Sequence, residues 1–294
     1  MKMSYDTIII GHITIDVNVF PWGLIENVLG GAPTYGGFSL AALRREVGAV
    51  SKIGSDFPEK FSPIFSKLGV DSEGILITSG STTTFENTYD EDGNREQTCK
   101  SVANSISPED IPNSYRNNSK SFYISPVAGE VSPETIDSVK SEDNLVMLDP
   151  QGIFREINEE GKVEIRMPSD LEDYLKNVDI VKIGLDEFEA FDEDKESALR
   201  KLVSMGPEIA ILSLGEDGCM ILSDNEVQEI EGIDVKVEDT TGAGDVFGTT
   251  FLTNYLDTKN LSQSARFGVT AAGLKIRYKG PTGFAEREEI EEEL

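Results

Sequence analysis

The chain has 294 residues and sets 26 Lys and Arg against 54 Asp and Glu, for a formal charge of −28 at pH 7. That balance repels nucleic acid and anionic membrane surfaces, so any phosphate the protein handles must be held by local devices such as backbone amides, a helix N-terminus or a bound cation. Two distant cysteines (Cys99, Cys219), a single histidine (His12) and the lack of a signal peptide or a bilayer-length apolar run exclude a disulfide scaffold, a His-rich zinc site and a membrane protein, and lead us to expect a cytoplasmic protein.

In chain order, Thr7 to Ile10 is a β-branched run that reads as a buried strand. Ile13, Ile15, Val17 and Val19 then alternate with polar neighbours, as a half-covered strand does. Leu40, Leu43 and Val47 fall at helical spacing and predict a core-facing helix between Gly37 and Val47. Thr82 to Tyr89 and Arg95 to Val102 flank the turn Asp90-Glu91-Asp92-Gly93-Asn94 and read as a hairpin. With Ile13 to Val19 this hairpin predicts a small antiparallel sheet covering one end of the main domain, a lid over residues of about 13–29 and 82–103.

Leu145 to Leu148, Val178 to Ile183 and Ile209 to Leu214 read as further buried strands, and Phe247, Phe251 and Tyr255 mark a second core-facing helix. Strands alternating with helices predict one α/β domain over 1–294 with a mostly parallel sheet, whose ligands sit at the carboxyl ends of its strands. The closing acidic run, Glu286 to Glu293, reads as a solvated helix face.

The most informative string is Asp239-Thr240-Thr241-Gly242-Ala243-Gly244-Asp245, which runs directly into the second helix. Small residues let a backbone approach a phosphate, and the first amides of a helix point at an anion. Asp245 falls in that helix's first turn, placed to take a proton from a substrate hydroxyl.

This string resembles the second motif of the ribokinase-like, or PfkB, carbohydrate kinases at every position. The resemblance covers nearly the whole chain. Gly11-His12-Ile13-Thr14-Ile15-Asp16 is similar to the family's first strand with its sugar-contacting Asp, here Asp16. Gly30-Gly31-Ala32-Pro33 resembles its Gly-Gly substrate loop, Gly54-Ser55-Asp56 its Gly-x-Asp turn, and Ser213-Leu214-Gly215-Glu216-Asp217-Gly218 its nucleotide-side loop.

The resemblance implies a three-layer α/β/α fold with a small β-sheet lid, and ATP-dependent phosphorylation of a hydroxyl on a sugar or polyol. It implies Asp245 as general base, the amides of Gly242, Ala243 and Gly244 around the transferred charge, and Mg2+ with Glu187 as its outer-shell acid. Thr241, Ser213, Gly215, Gly218 and Ala272 fall on the ATP side; Asp16, Gly30, Gly31, Tyr35, Asp56 and Arg155 fall on the acceptor side. A monovalent cation near Asp239 and Thr241 and a homodimer through the lids are also compatible with it.

Two positions depart from the family pattern. The Asn of its Asn-x-x-Glu string is Gly184 here, and the Asn that follows its Gly-Gly loop is Tyr35. The strings Thr82 to Glu86, Ser125 to Glu130 and Asp149 to Arg155 resemble an archaeal branch containing myo-inositol kinase. Arg155 reads equally as a phosphate or acceptor ligand and as a surface Arg paired with an acid. A nucleoside kinase of the same family is the alternative. A more remote one is a dinucleotide-dependent oxidoreductase, because Gly242-x-Gly244-x-x-x-Gly248 is a near-match to a Rossmann fingerprint.

Overall fold

The structure, a computed structural model, describes residues 4–90 and 95–294. Among these the strands are β1 Thr7–Ile10, β2 Thr14–Phe20, β3 Gly23–Gly30, β4 Val47–Gly54, β5 Val70–Thr78, β6 Thr84–Tyr89, β7 Arg95–Ser101, β8 Ser121–Ile124, β9 Leu145–Leu148, β10 Arg155–Ile157, β11 Val163–Ile165, β12 Ile180–Ile183, β13 Ile209–Ser213, β14 Cys219–Ser223 and β15 Glu226–Ile230. A large sheet runs in the order β15-β14-β13-β12-β9-β8-β1-β4-β5. It is parallel from β5 to β13 and ends in the antiparallel pairs β13-β14 and β14-β15.

The parallel strands are apolar because both their faces are covered. In β1, Ile9 packs into one core cluster with Phe38, Phe247, Phe251 and Phe267, whereas Ile8 and Ile10 pack into another with Phe122, Leu171, Leu199 and Leu202. The first cluster lies under the helices Ala32–Ala42, Ala243–Thr258 and Leu261–Lys275, the second under Leu171–Leu175 and Lys195–Ser204. The result is the expected three-layer α/β/α fold.

The helix expected between Gly37 and Val47 is Ala32–Ala42 instead. Pro33 suits its first turn, Arg44 turns the chain at φ 58°, and Val47 opens β4. Spacing alone missed this because Val47 is buried in either element.

A second, four-stranded sheet has the order β3-β2-β6-β7. Its hairpins β2-β3 and β6-β7 are antiparallel, but they join through a parallel pair, Val17 beside Glu86 and Val19 beside Thr88. The wholly antiparallel patch is therefore corrected to a mixed sheet. The reason is topological: β2 follows the carboxyl end of β1 and β6 follows that of β5, so both leave the large sheet in one direction. Residues 91–94 of the expected turn lie outside the described residues.

Candidate active site

Successive parallel strands of the large sheet deliver polar side chains at their carboxyl ends. Ser125 follows β8, Asp149 follows β9, Gly184 and Glu187 follow β12, and Ser213 ends β13. All but Ser125 line a polar cavity of about 360 Å3 that also takes Asp245, Gly242, Gly244 and Thr241 from the helix mouth. From the other side come Asp16, Gly30, Gly31 and Tyr35, with Asn87 and Gln97 from the small sheet and Gln151 and Arg155 after β9.

A second, more apolar cavity of about 710 Å3 shares Ser213, Gly215, Thr240 and Gly244 with the first. Its other walls include Gly218, Ile233, Val237, Phe247, Val269 and Ala272. The helix mouth thus separates a polar chamber from an apolar slot.

The string that opens the helix Ala243–Thr258 has the shape its small residues allow. Gly242 is left-handed at φ 76°, and a Cβ there would meet the Tyr35 ring at 2.1 Å. A Cβ on Gly244 would sit 2.9 Å from the Lys182 ammonium nitrogen. The Ala243 amide donates to the Thr240 carbonyl at 3.1 Å, and Ala243 lines the apolar slot but not the polar cavity, so the expected trio of anion-binding amides reduces to those of Gly242 and Gly244. Among the described residues no carbonyl or side chain accepts from these two.

Asp245 is buried, 8 % exposed, in the first helical turn. Burial pushes its carboxyl up, the Asp149 charge pushes it further, and Lys182 only partly offsets them, leaving it at about 7. The Ser125 hydroxyl lies 3.4 Å from Asp245 Oδ1; Gln151 Nε2 donates to Ser125 Oγ at 3.0 Å, and Arg155 Nη2 donates to Gln151 Oε1 at 3.2 Å. A polar chain therefore links Arg155 to Asp245. Arg155 also donates to the Val127 carbonyl at 3.0 Å and lies over the Phe85 ring, which answers the open question about it: it is a cavity residue rather than a surface partner of an acid.

Lys182 was missed as a site residue. Its ammonium donates to Asp149 Oδ2 at 2.6 Å, and the Tyr123 hydroxyl donates to the same oxygen at 2.9 Å. Burial disfavours that ammonium, but the Asp149 carboxylate, together with Glu187 and Asp245, outweighs burial and holds it above the usual lysine range. The available signal was one Lys in the otherwise apolar run Ile180-Val181-Lys182-Ile183. An ammonium in a buried strand needs an anion nearby. Asn87 and Gln97 were also missed, because only pairing of β6, β7 and β2 aligns them: Gln97 donates to Asn87 at 2.9 Å and Asn87 to Asn18 at 3.0 Å.

Other expected residues divide. Glu187 is buried, its Oε2 accepts from the Gly184 amide at 2.8 Å, and burial followed by the Asp149 charge raises its pKa. Asp56 does not line the cavity. Its Oδ1 accepts from the Thr82 amide and hydroxyl at 2.7 and 2.8 Å, which fastens the turn leading into β6. Tyr35 is buried as a floor beneath Gly242.

Among the described residues no group of three or more His, Cys, Asp and Glu could cage a metal. A hard cation held mainly by phosphate oxygens and water needs only one or two carboxylates. Glu187 and Asp149, whose Oδ1 is buried without a hydrogen-bond partner, fit that need.

Such an arrangement, a helix mouth with two unengaged amides beside a buried carboxylate and under a small sheet, is chemically suited to α/β proteins that receive a phosphate. The family model described as pfkB family carbohydrate kinase matches residues 8–287, and the chain belongs to that family. The cytidine kinase of Thermococcus kodakarensis is 29 % identical over 280 residues, covering 91 % of this chain and 94 % of that relative. A pyrophosphate-dependent kinase in the ribokinase family, solved with a pyrophosphate analogue and myo-inositol, superposes with a TM-score of 0.81 at 24 % identity over 97 % of this chain and 99 % of that one. Arabidopsis thaliana ribokinase complexed with ribose and ATP gives 0.79 at 20 % identity, over 99 % and 98 %.

The chain is accordingly a phosphotransferase of the sugar and nucleoside kinase type. This overturns the oxidoreductase alternative, and the local structure agrees: residues 231–241 before the glycines are irregular and follow an antiparallel edge strand, where a Rossmann turn follows a parallel one. No helix among the described residues is long and apolar enough to cross a membrane.

Proposed function

We propose that this enzyme transfers the γ-phosphoryl group of ATP to a hydroxyl of a small sugar or polyol, with Asp245 as general base. The observation that carries the reading is Asp245 itself, buried at a helix mouth where Gly242 and Gly244, their amides unengaged, line a polar chamber and Gly244 also borders an apolar slot. The acceptor occupies the chamber and the nucleoside the slot, so the γ-phosphorus lies between the acceptor oxygen and its leaving group. The hydroxyl oxygen forms the new P–O bond, its proton passes to Asp245, and the bond to the β-phosphate oxygen breaks with its electron pair leaving on ADP.

Lys182 and the amides of Gly242 and Gly244 receive the charge that gathers on the transferred group. Thr241, Ser213, Gly215, Gly218 and Ala272 hold the donor. Glu187 and Asp149 would face Mg2+, which when bound screens the phosphates. A nucleotide is favoured over pyrophosphate because the slot beyond the helix mouth is large and apolar, with Glu216, Asp217 and Asp234 among its lining. A bare pyrophosphate gains nothing from apolar walls and is repelled by that acid.

Asp16, Asn87, Gln97, Gln151 and Arg155 suit a molecule rich in hydroxyls, myo-inositol being one example. A second reading, a nucleoside acceptor, is favoured by the similarity to a cytidine kinase. Both are tested by following ADP release with Mg-ATP across inositols, pentoses, hexoses, keto-deoxy sugar acids and nucleosides, with pyrophosphate as an alternative donor. Turnover with a polyol or sugar supports the first reading, turnover with cytidine alone replaces it with the second, and turnover with pyrophosphate but not ATP overturns the donor assignment.

The small sheet acts as a lid that excludes water, so ATP hydrolysis without acceptor is slow relative to transfer. Its edge strand β3 and the preceding turn expose Trp22, Leu24 and Ile25, at 71, 55 and 42 %. An exposed apolar edge is a pairing surface, and a second copy of the chain is its proposed occupant. Sedimentation of Trp22→Glu/Leu24→Glu beside the parent tests this, with an unchanged mass overturning it.

A further inference from the structure

Lys275 has no place in the chemistry above, yet it is a fully buried lysine in the last turn of the helix Leu261–Lys275. Its ammonium donates to the Thr241 carbonyl at 2.6 Å and to the Asp239 carbonyl at 3.4 Å. It also lies 5.0 Å from the centre of the Tyr35 ring, the same ring that floors Gly242. Around it the backbone is strapped down. Asp239 Oδ1 accepts from the Thr241 amide at 2.9 Å and Oδ2 from the Gly280 amide at 2.8 Å, while the Ile276 carbonyl accepts from the amides of Glu238 and Asp239.

Burying an ammonium is costly, and burial lowers the pKa of this one against the opposing charges of Asp239 and Asp245. What meets it is a carbonyl pair, an aromatic face and a nearby carboxylate. Main-chain carbonyls and ring faces are the partners that free monovalent cations such as potassium or ammonium also take. The two carbonyls belong to residues that lead into Gly242, so their orientation sets the direction of the next amides.

We infer that Lys275 is a positioning residue: its tethered ammonium occupies the place of a free monovalent cation at Asp239 and Thr241, and holds the Thr241–Gly244 loop in its anion-receiving shape without added potassium. The inference rests on the proposed role of that loop in holding the donor. It replaces the monovalent cation that the family resemblance allowed at this point with a side chain of the protein itself.

The parent enzyme, Lys275→Ala and Lys275→Met are compared in choline, sodium, potassium and ammonium chloride at one ionic strength, reading the melting temperature without nucleotide and Mg-ATP affinity by calorimetry. The parent is expected to give the same values in all four salts. Lys275→Ala is expected to lose Mg-ATP affinity by roughly tenfold to a hundredfold in choline, the worth of a charged hydrogen bond, and to regain affinity and melting temperature in potassium or ammonium. Lys275→Met, whose side chain fills the space without charge, shows the loss and no recovery.

Potassium dependence in the parent overturns the inference. So does Lys275→Ala binding Mg-ATP normally in choline, losing affinity equally in every salt, or failing to fold in all four. If the parent does not bind Mg-ATP, the donor assignment fails, while cation-specific recovery of the Lys275→Ala melting temperature still decides the role of Lys275.

Discussion

The two sides of the cavity are built differently. The helix mouth proposed to hold the transferred group is local: seven consecutive residues, Asp239 to Asp245, make the loop, the mouth and the buried acid. The wall proposed for the acceptor is dispersed, with Asp16 on β2, Asn87 and Gln97 on β6 and β7, and Arg155 on β10, far apart in sequence and brought together by the four-stranded sheet and the separate pair β10-β11. A contiguous loop suits chemistry common to every substrate. A wall assembled from separate strands lets the acceptor change one residue at a time.

The largest expected effect breaks the donor side. Asp245→Asn should cut turnover roughly 10²–10⁴-fold while leaving ATP affinity within a few-fold, measured by steady-state kinetics and calorimetry. Near-parental turnover would remove Asp245 from the mechanism. Lys182→Met should follow, lowering turnover roughly 10²–10³-fold and destabilising the fold, because Asp149 is left buried and unpaired. A loss confined to acceptor KM would show that Lys182 belongs to the other wall.

The acceptor side should respond more mildly. Gln97→Leu or Arg155→Met is expected to raise acceptor KM about tenfold with ATP KM unchanged, the worth of one or two polar contacts. If either variant weakens ATP instead, the division between the walls is wrongly drawn. Asp56→Asn, outside the cavity, should cost about 1 kcal/mol of stability at most and leave both KM values alone.

Titration sharpens the contrast further. With the Asp245 carboxyl raised to about 7, kcat/KM should climb with pH through neutrality, since a base works only when deprotonated. The stability effect has the opposite direction. Between the ordinary aspartate value of 3.8 and about 7 the folded state keeps a proton that the unfolded chain releases, so this group's contribution declines as pH rises across that window. Asp245→Asn should therefore melt higher than the parent above pH 7, with the advantage gone near pH 4. An advantage that grows toward acid would contradict the burial argument.

By itself the sequence determined the α/β layering, four strands of the large sheet and the helix mouth, because these depend on short-range patterns: apolar runs, helical spacing and seven adjacent residues. It also marked Asp16 and the glycines through motif order. Only tertiary structure decided that Asp56 serves a turn, that the Ala243 amide is spent on Thr240, and that the small sheet is joined by a parallel pair. The same holds for Lys275, which looks like any other lysine in one dimension, and for the partner of Lys182, which an apolar run marks as unusual without naming its anion. Their meaning depends on which carboxylates and carbonyls come within 3 Å across a sheet or a helix end, a long-range packing outcome that no local pattern encodes.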